Sequence, residues 1–374
     1  MKKIKRVLVT GGAGFIGSFI VDELVRKRYQ VVVLDNLVDQ VHKGMKPKYL
    51  NKSVKFILGD VTNTADLRKA IKNVDAIYHE ASAVGVGQSM YQIDHYFNTN
   101  VQGTAKLLDF LANNKHNVKH LIVASSMSAY GEGLYECQKC GLVRPPLRGS
   151  TQMKKKDWEL HCQSCNRYLA PVPTPETEKF ASNSIYALTK QTQEEMMLIF
   201  GRAYNIPATA FRYFNVYGPR QSLSNPYTGV AAIFLSRLKN NQSPVIYEDG
   251  EQTRDFVSVY DIARANVLAL GNPKSYHQVF NLGGGKGVAI GDVALMLAEI
   301  LKVKIIPDIT EQFRSGDVRH CFADIKKAKK LLGWSPDIKL KEGIKNLVEW
   351  SKEENAEDKF SFAVDELRKR GITT

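Results

Sequence analysis

The chain has 374 residues, 44% hydrophobic and 24% charged, the balance of an ordinary globular protein with room for about two domains. No apolar run approaches the roughly 20 residues that a membrane-spanning helix needs, so an enzyme of the cytoplasm is expected. Lys and Arg outnumber Asp and Glu by 52 to 38, a net +14. No stripe of interleaved aromatic and basic residues points to nucleic acid, and the excess reads as a solvated surface or, locally, as arginines that meet a diphosphate.

In chain order, a basic start leads into a short β-rich run at residues 6–9. That run is too short for a signal peptide and passes straight into Gly11-Gly12-Ala13-Gly14-Phe15-Ile16-Gly17. Phe15, Ile16, Phe19, Ile20 and Leu24 then recur at helical spacing. Further strands are expected at 31–34, 54–58, 76–79 and 121–124. They are continuous apolar runs without alternation, as in a parallel sheet covered on both faces. The pattern predicts an α/β fold with a doubly wound parallel (Rossmann) sheet. Residues 134–175, with four cysteines and several prolines, show no sustained period and read as an insertion. Helical spacing resumes at Tyr186 with Leu188, Met196, Met197 and Phe200, and strands follow at 208–211 and 279–282. The expected division is a cofactor domain over 1–215, carrying the 134–175 insert, and a mainly substrate-binding domain over 216–374, with a charged helical tail at 340–369.

Three glycines, Gly11, Gly14 and Gly17, sit between the first strand and the first helix. One permits the tight turn, one the approach of a pyrophosphate, and one close helix packing; the helix start at Phe15 and Ile16 offers free N–H groups to phosphate. Asp35 closes the second strand, 18 positions after Gly17. Its carboxylate suits the adenosine ribose hydroxyls and repels a 2′-phosphate, which favours NAD over NADP. Asn36 beside it, and Asp60 and Val61 after the third strand, complete the expected cofactor edge, although an Asp in a turn is common.

Tyr186 and Lys190 are four apart and share a helix face. A phenol with a pKa near 10 is a poor base at neutral pH, and a nearby ammonium favours the phenolate. Ser126 lies at the C-terminal end of a predicted parallel strand, where ligands bind in such sheets. Together the three can remove a proton from an alcohol as hydride leaves its carbon. The cysteines Cys137, Cys140, Cys162 and Cys165 are spaced Cys-x2-Cys-x21-Cys-x2-Cys. That spacing favours a closed structural zinc in a ribbon-like knot, with two disulfides or idle thiols as the rival reading.

Taken together, the glycine loop, the 125–131 segment, Tyr186-x-x-x-Lys190, the 212–220 run, Arg254-Asp255-Phe256-Val257 and Arg314-Ser315-Gly316-Asp317 resemble the extended short-chain dehydrogenase/reductases, the NAD-dependent sugar-nucleotide epimerases and dehydratases. The resemblance covers nearly the whole chain. It implies a catalytic Ser126, Tyr186 and Lys190, with Asn100 near the nicotinamide. It also implies substrate contacts by Val86 (in the 83–90 loop), Ser126, Asn215, Arg254 and Arg314, and a pocket-limiting Cys321, for which a small buried apolar residue is the plain alternative. Dehydratases of the family carry Asp and Glu after the serine. Met127 and Ser128 stand here and cannot serve as carboxylates, which leaves 4-epimerisation. The four-cysteine insert resembles that of a subgroup similar to the dTDP-L-rhamnose 4-epimerases, which make dTDP-6-deoxy-L-talose. The alternatives are a UDP-glucose or other UDP-hexose 4-epimerase, an NAD(P)-dependent 4-keto-sugar reductase, and a redox-sensing binding protein that kept the fold. Bound NAD, a nucleotide-sugar substrate and a homodimer joined partly through the Tyr186 helix are implied; nucleic acid and membrane are not.

Overall fold

The computed structural model describes residues 3–314 and 316–373, so Ser315 of the Arg314–Asp317 motif lies outside the described residues. Seven parallel strands form the central sheet: β1 (Arg6–Thr10), β2 (Gln30–Asp35), β3 (Lys55–Leu58), β4 (Ala76–His79), β5 (His120–Ser126), β6 (Ala208–Tyr213) and β7 (Gln278–Leu282). Their order is β7-β6-β5-β4-β1-β2-β3. The chain therefore starts in the middle of the sheet, winds outward to β3, then returns and winds the other way. The crevice that this reversal opens above the strand ends is where ligands bind in doubly wound sheets.

Successive side chains of β1 explain why the strand lacks alternation. Val7 and Val9 join one apolar layer with Phe19, Ile20, Leu24, Ile262 and Trp334, while Leu8 points into the other with Leu107, Leu121, Met197 and Phe200. Both faces are covered, so every position is apolar. Each such side chain, fully buried, contributes about 1.5–3 kcal/mol.

The cofactor half is not contiguous in sequence. β7 comes from beyond residue 215 and pairs with β6. The helix Val259–Ala269 packs on the helix Phe15–Arg26, with the Phe19 and Tyr260 rings 4.8 Å apart edge to face. Sequence position alone separated these pieces, and the sheet reunites them because β6 otherwise presents an open edge. The remaining C-terminal chain builds a second apolar core from the helices Val230–Lys239, Ile290–Leu301 and Leu340–Ser351. Its small sheets position the site. Asn215–Tyr217 runs parallel to Phe256–Ser258, and Thr253–Arg254 lies between Val288–Ala289 and His320–Cys321.

The insert is an ordered unit of three short antiparallel strands, Leu134–Cys137 at the centre with Gly141–Val143 and Ala170–Val172 beside it, plus the helix Ser150–Lys154. Strands of three and four residues carry too few positions to show a period, which is why the sequence read as irregular. Tyr135, Cys137, Leu160, Cys162 and Leu169 form its small core. No helix among the described residues is long and apolar enough to cross a membrane.

Candidate active site

A cavity of about 650 Å³ runs along the C-terminal ends of the strands, between the sheet and the second core. At one end lies the glycine loop. Gly11 has φ +67°, and a Cβ there would stand 2.7 Å from the Ala81 nitrogen; a Cβ on Gly17 would stand 2.2 Å from the Gly11 carbonyl oxygen. Side chains are sterically excluded at both positions. The helix that follows starts at Phe15 with no side chain capping it, so its first N–H groups face the cavity wall formed by Gly14, Phe15, Ile16 and Gly17.

Asp35 accepts hydrogen bonds from the Ala13 and Leu37 N–H groups at 2.9 Å each and keeps lone pairs for a ligand. Asn36 donates to Asp60 at 2.8 Å. Burial would raise the Asp60 carboxyl, but the bonds from Thr62 and Asn36 outweigh it and hold the group below its ordinary range. Asp60 and Val61 line the same end. A glycine cradle that a Cβ would fill, an uncapped helix start and an acid at the end of β2 fit a bound dinucleotide. Gly11, Gly14, Phe15, Ile16, Gly17, Asp35, Asn36, Asp60 and Val61 would hold it.

At the middle of the cavity β5 delivers Ser126, whose hydroxyl oxygen accepts from the Ser128 hydroxyl at 2.9 Å. The helix Ile185–Ala203 delivers Tyr186 and Lys190. Its start is tied down twice: the Ser184 oxygen accepts from the Ala187 N–H, and the Tyr186 N–H donates to the Ser89 hydroxyl at 3.0 Å. All three side chains line the cavity. Burial raises the Tyr186 phenol above its usual range, and the Ser126 hydroxyl opposes that rise. The Lys190 ammonium does not offset it in this arrangement, since it bonds to Gln193 at 3.0 Å and reaches the Ser82 hydroxyl at 3.4 Å. Burial pushes Lys190 down to about 8, against the pull of the Glu80 and Glu194 carboxylates.

Glu80 escaped sequence reasoning. It follows β4, lines the cavity and accepts from the Tyr213 hydroxyl at 3.1 Å; burial lifts its carboxyl to about 7, opposed by Lys190 and that hydroxyl. Its signal was an acid directly after a parallel strand. The tail also went unread: Phe360, Ala363, Val364 and Leu367 of the helix Phe360–Arg368 line the cavity, a short apolar face hidden among charges.

Val86, Asn215, Arg254 and Arg314 lie on the wall. Arg314 is held by Asp317 at 2.9 Å and lies over the Tyr247 ring. Two residues do not. Asn100 is fully buried behind the wall, with all its bonding capacity spent on Ser82, Ala83 and Thr189, so it pins the catalytic helix to the 82–83 loop. Cys321 is buried among Tyr130, Phe214 and Ala323, so the small buried residue is the reading that the packing supports. None of residues 134–175 lines the cavity either; the insert backs the wall rather than covering the sugar space.

Eight buried side-chain polar atoms lack a partner among the described residues. Five belong to wall residues: Ser125, Asn215, Tyr217, Gln221 and Gln252.

A dinucleotide cradle joined to a serine, a tyrosine and a lysine at one crevice defines the class, an enzyme that works on a hydroxyl group with a nicotinamide cofactor. The chain belongs to the NAD dependent epimerase/dehydratase family, whose model matches residues 7–148 and 155–283. It is an enzyme of that family. It is 34% identical to a dTDP-L-rhamnose 4-epimerase of Burkholderia thailandensis, covering 94% of this chain and 96% of that protein. It is 35% identical to a putative UDP-glucose 4-epimerase of Methanocaldococcus jannaschii, covering 93% and 99%. The structure of a UDP-glucuronic acid 4-epimerase from Bacillus cereus in complex with UDP-glucuronic acid and NAD superposes with a TM-score of 0.75 at 28% identity, over 93% of this chain and 99% of that one.

Proposed function

We propose that the chain inverts C4 of a nucleotide-linked hexose, with dTDP-L-rhamnose and dTDP-6-deoxy-L-talose as the pair it interconverts. The observation that carries the reading is the meeting of Ser126, Tyr186 and Lys190 on one cavity wall, with no carboxylate at 127 or 128 to divert the sugar into dehydration. Bound NAD supplies removal and return of hydride at one carbon. Tyr186 takes the proton from the C4 hydroxyl and Ser126 holds that oxygen; Lys190, bonded to Gln193 and Ser82 in this arrangement, steadies the phenolate only on turning toward it. The flat 4-keto sugar turns in the cavity, and Tyr186 gives the proton back to the new C4 oxygen. Arg254, Arg314 and Asn215 receive the diphosphate and sugar.

The likeness to the Burkholderia enzyme favours the deoxythymidine sugar; the likeness to the Methanocaldococcus protein keeps a UDP-hexose as the second reading. Incubation with a panel of nucleotide sugars, without added cofactor, separates them. Product from dTDP-L-rhamnose with no net NADH supports the first, and product from UDP-glucose alone supports the second. Turnover that requires stoichiometric NADPH would replace both with a reductase.

Cys137, Cys140, Cys162 and Cys165 are proposed to hold a structural zinc. Their sulfur atoms all lie within 4.8 Å of one another. N–H groups of Lys139 and Cys140 point at the Cys137 sulfur, and those of Ser164 and Cys165 at the Cys162 sulfur, an arrangement that suits thiolates. A cytoplasmic homodimer is proposed as well, supported by the exposed Leu188 and Ile199 on the Tyr186 helix; a sedimentation mass of one chain would reject the dimer.

A further inference from the structure

The insert carries a job at the substrate end of the cavity although it never reaches the cavity itself. One of its links is the Arg148 guanidinium, beside the pairs Glu159–Arg319 and Lys156–Glu311. Arg148 grips Glu248 with both terminal nitrogens, at 2.8 and 2.9 Å, and also donates to the carbonyls of Trp158 and Asp317 at 2.9 and 3.1 Å. Its side chain is 2% exposed, and Glu132, equally buried, stands 4.0 Å from its Nε. The Asp317 side chain in turn holds the Arg314 Nε. A second strut lies alongside: Trp158 of the insert packs edge to face on Phe313, the residue before Arg314, with Met153 in the same cluster.

Glu248 is itself a wall residue. Left bare, its carboxylate would repel a diphosphate; Arg148 and Arg319 neutralise it from behind, Arg319 at 3.0 Å. Arg148 therefore ties down the Asp317 backbone beside Arg314 and, with Arg319, neutralises one acid of the wall.

From this we infer that Arg148 is a positioning residue for the nucleotide diphosphate, and that the four-cysteine insert serves as the rigid mount from which it sets Arg314 and screens Glu248. The inference rests on the proposed nucleotide-sugar reading. A lysine at 148 keeps the charge but cannot make the fork to Glu248 and the bond to Asp317 together.

The test is titration calorimetry of the NAD-loaded protein with dTDP and with UDP, beside KM and kcat for whichever sugar is turned over. R148M should weaken diphosphate binding and raise KM about tenfold, with kcat within about twofold of the parent and bound NAD unchanged. R148K, which keeps the buried charge balance, should weaken binding about threefold and decides the matter should R148M fail to fold. Unchanged diphosphate affinity in folded R148K, or a loss of kcat with KM untouched, overturns the inference. Parent protein that binds neither diphosphate would instead sink the nucleotide-sugar reading itself, and this inference with it.

Discussion

The glycine loop and the insert place ligand-facing groups by opposite means. The loop does so within seven consecutive residues, by what is absent: no Cβ fits at Gly11 or Gly17, so the backbone itself forms the cradle. The insert does so across the chain, by buried charges, with Arg148 bonding to groups 100 and 169 positions away. A steric device is rigid and local. An ionic one is strong only while every partner stays in place, since breaking a buried pair leaves an uncompensated charge at a cost of about 3–5 kcal/mol. The cofactor cradle thus rests on local geometry, whereas the mounting of Arg314 depends on long-range assembly.

The largest effect should come from Tyr186→Phe. Losing the general base should lower kcat by about 10³-fold, with NAD still bound by its absorbance and fluorescence; a variant that still turns over would remove Tyr186 from the mechanism. Gly17→Ala should strike the cradle. A Cβ at 2.2 Å from the Gly11 oxygen forces the loop apart, so the purified protein should lose its cofactor, and stability should fall by about 1–3 kcal/mol. Retained NAD in that variant would break the claim that the loop acts by exclusion.

Metal removal probes the other region. After verified loss of zinc the melting temperature should drop by about 5 °C or more, and KM should rise before kcat changes. Identical melting with and without metal would dismiss a structural ion. The smallest effect is a shift rather than a loss. Lys190 sits at about 8 because burial lowers it and the Glu80 and Glu194 charges raise it. Its charge, which the proposed mechanism needs beside the phenolate, is present below that value and lost as pH climbs through it. Glu80→Gln removes one raising influence, so the alkaline limb of the kcat profile should move to lower pH by about one unit. A profile superimposable on that of the parent would show that Glu80 does not act on Lys190.

Much of the site was legible in the chain because its groups lie at strand ends and helix starts that short motifs mark. The glycines and Asp35 follow from strand–turn–helix–strand order, and Tyr186 with Lys190 from helical spacing. The two expected contacts that do not line the cavity share one cause. Asn100 and Cys321 fall where the family's spacing puts contacts, yet which way a side chain faces depends on neighbours far off in sequence: Thr189 claims Asn100, and the Tyr130–Phe214 cluster claims Cys321. Glu80 went unseen because a lone acid carries no motif; only Tyr213 and Lys190, more than a hundred residues on, give it meaning.

Sequence by itself determined the parallel sheet, the dinucleotide loop, the Ser–Tyr–Lys set and the four-cysteine cluster, because each is written in local spacing or in continuous apolar runs. Tertiary structure alone decided that β7 completes the cofactor sheet, that the tail closes one wall of the cavity, and that the insert stands behind Arg314 rather than over the sugar. Those outcomes depend on which distant surfaces bury one another and on where buried charges find their partners, and neither is encoded at any single position.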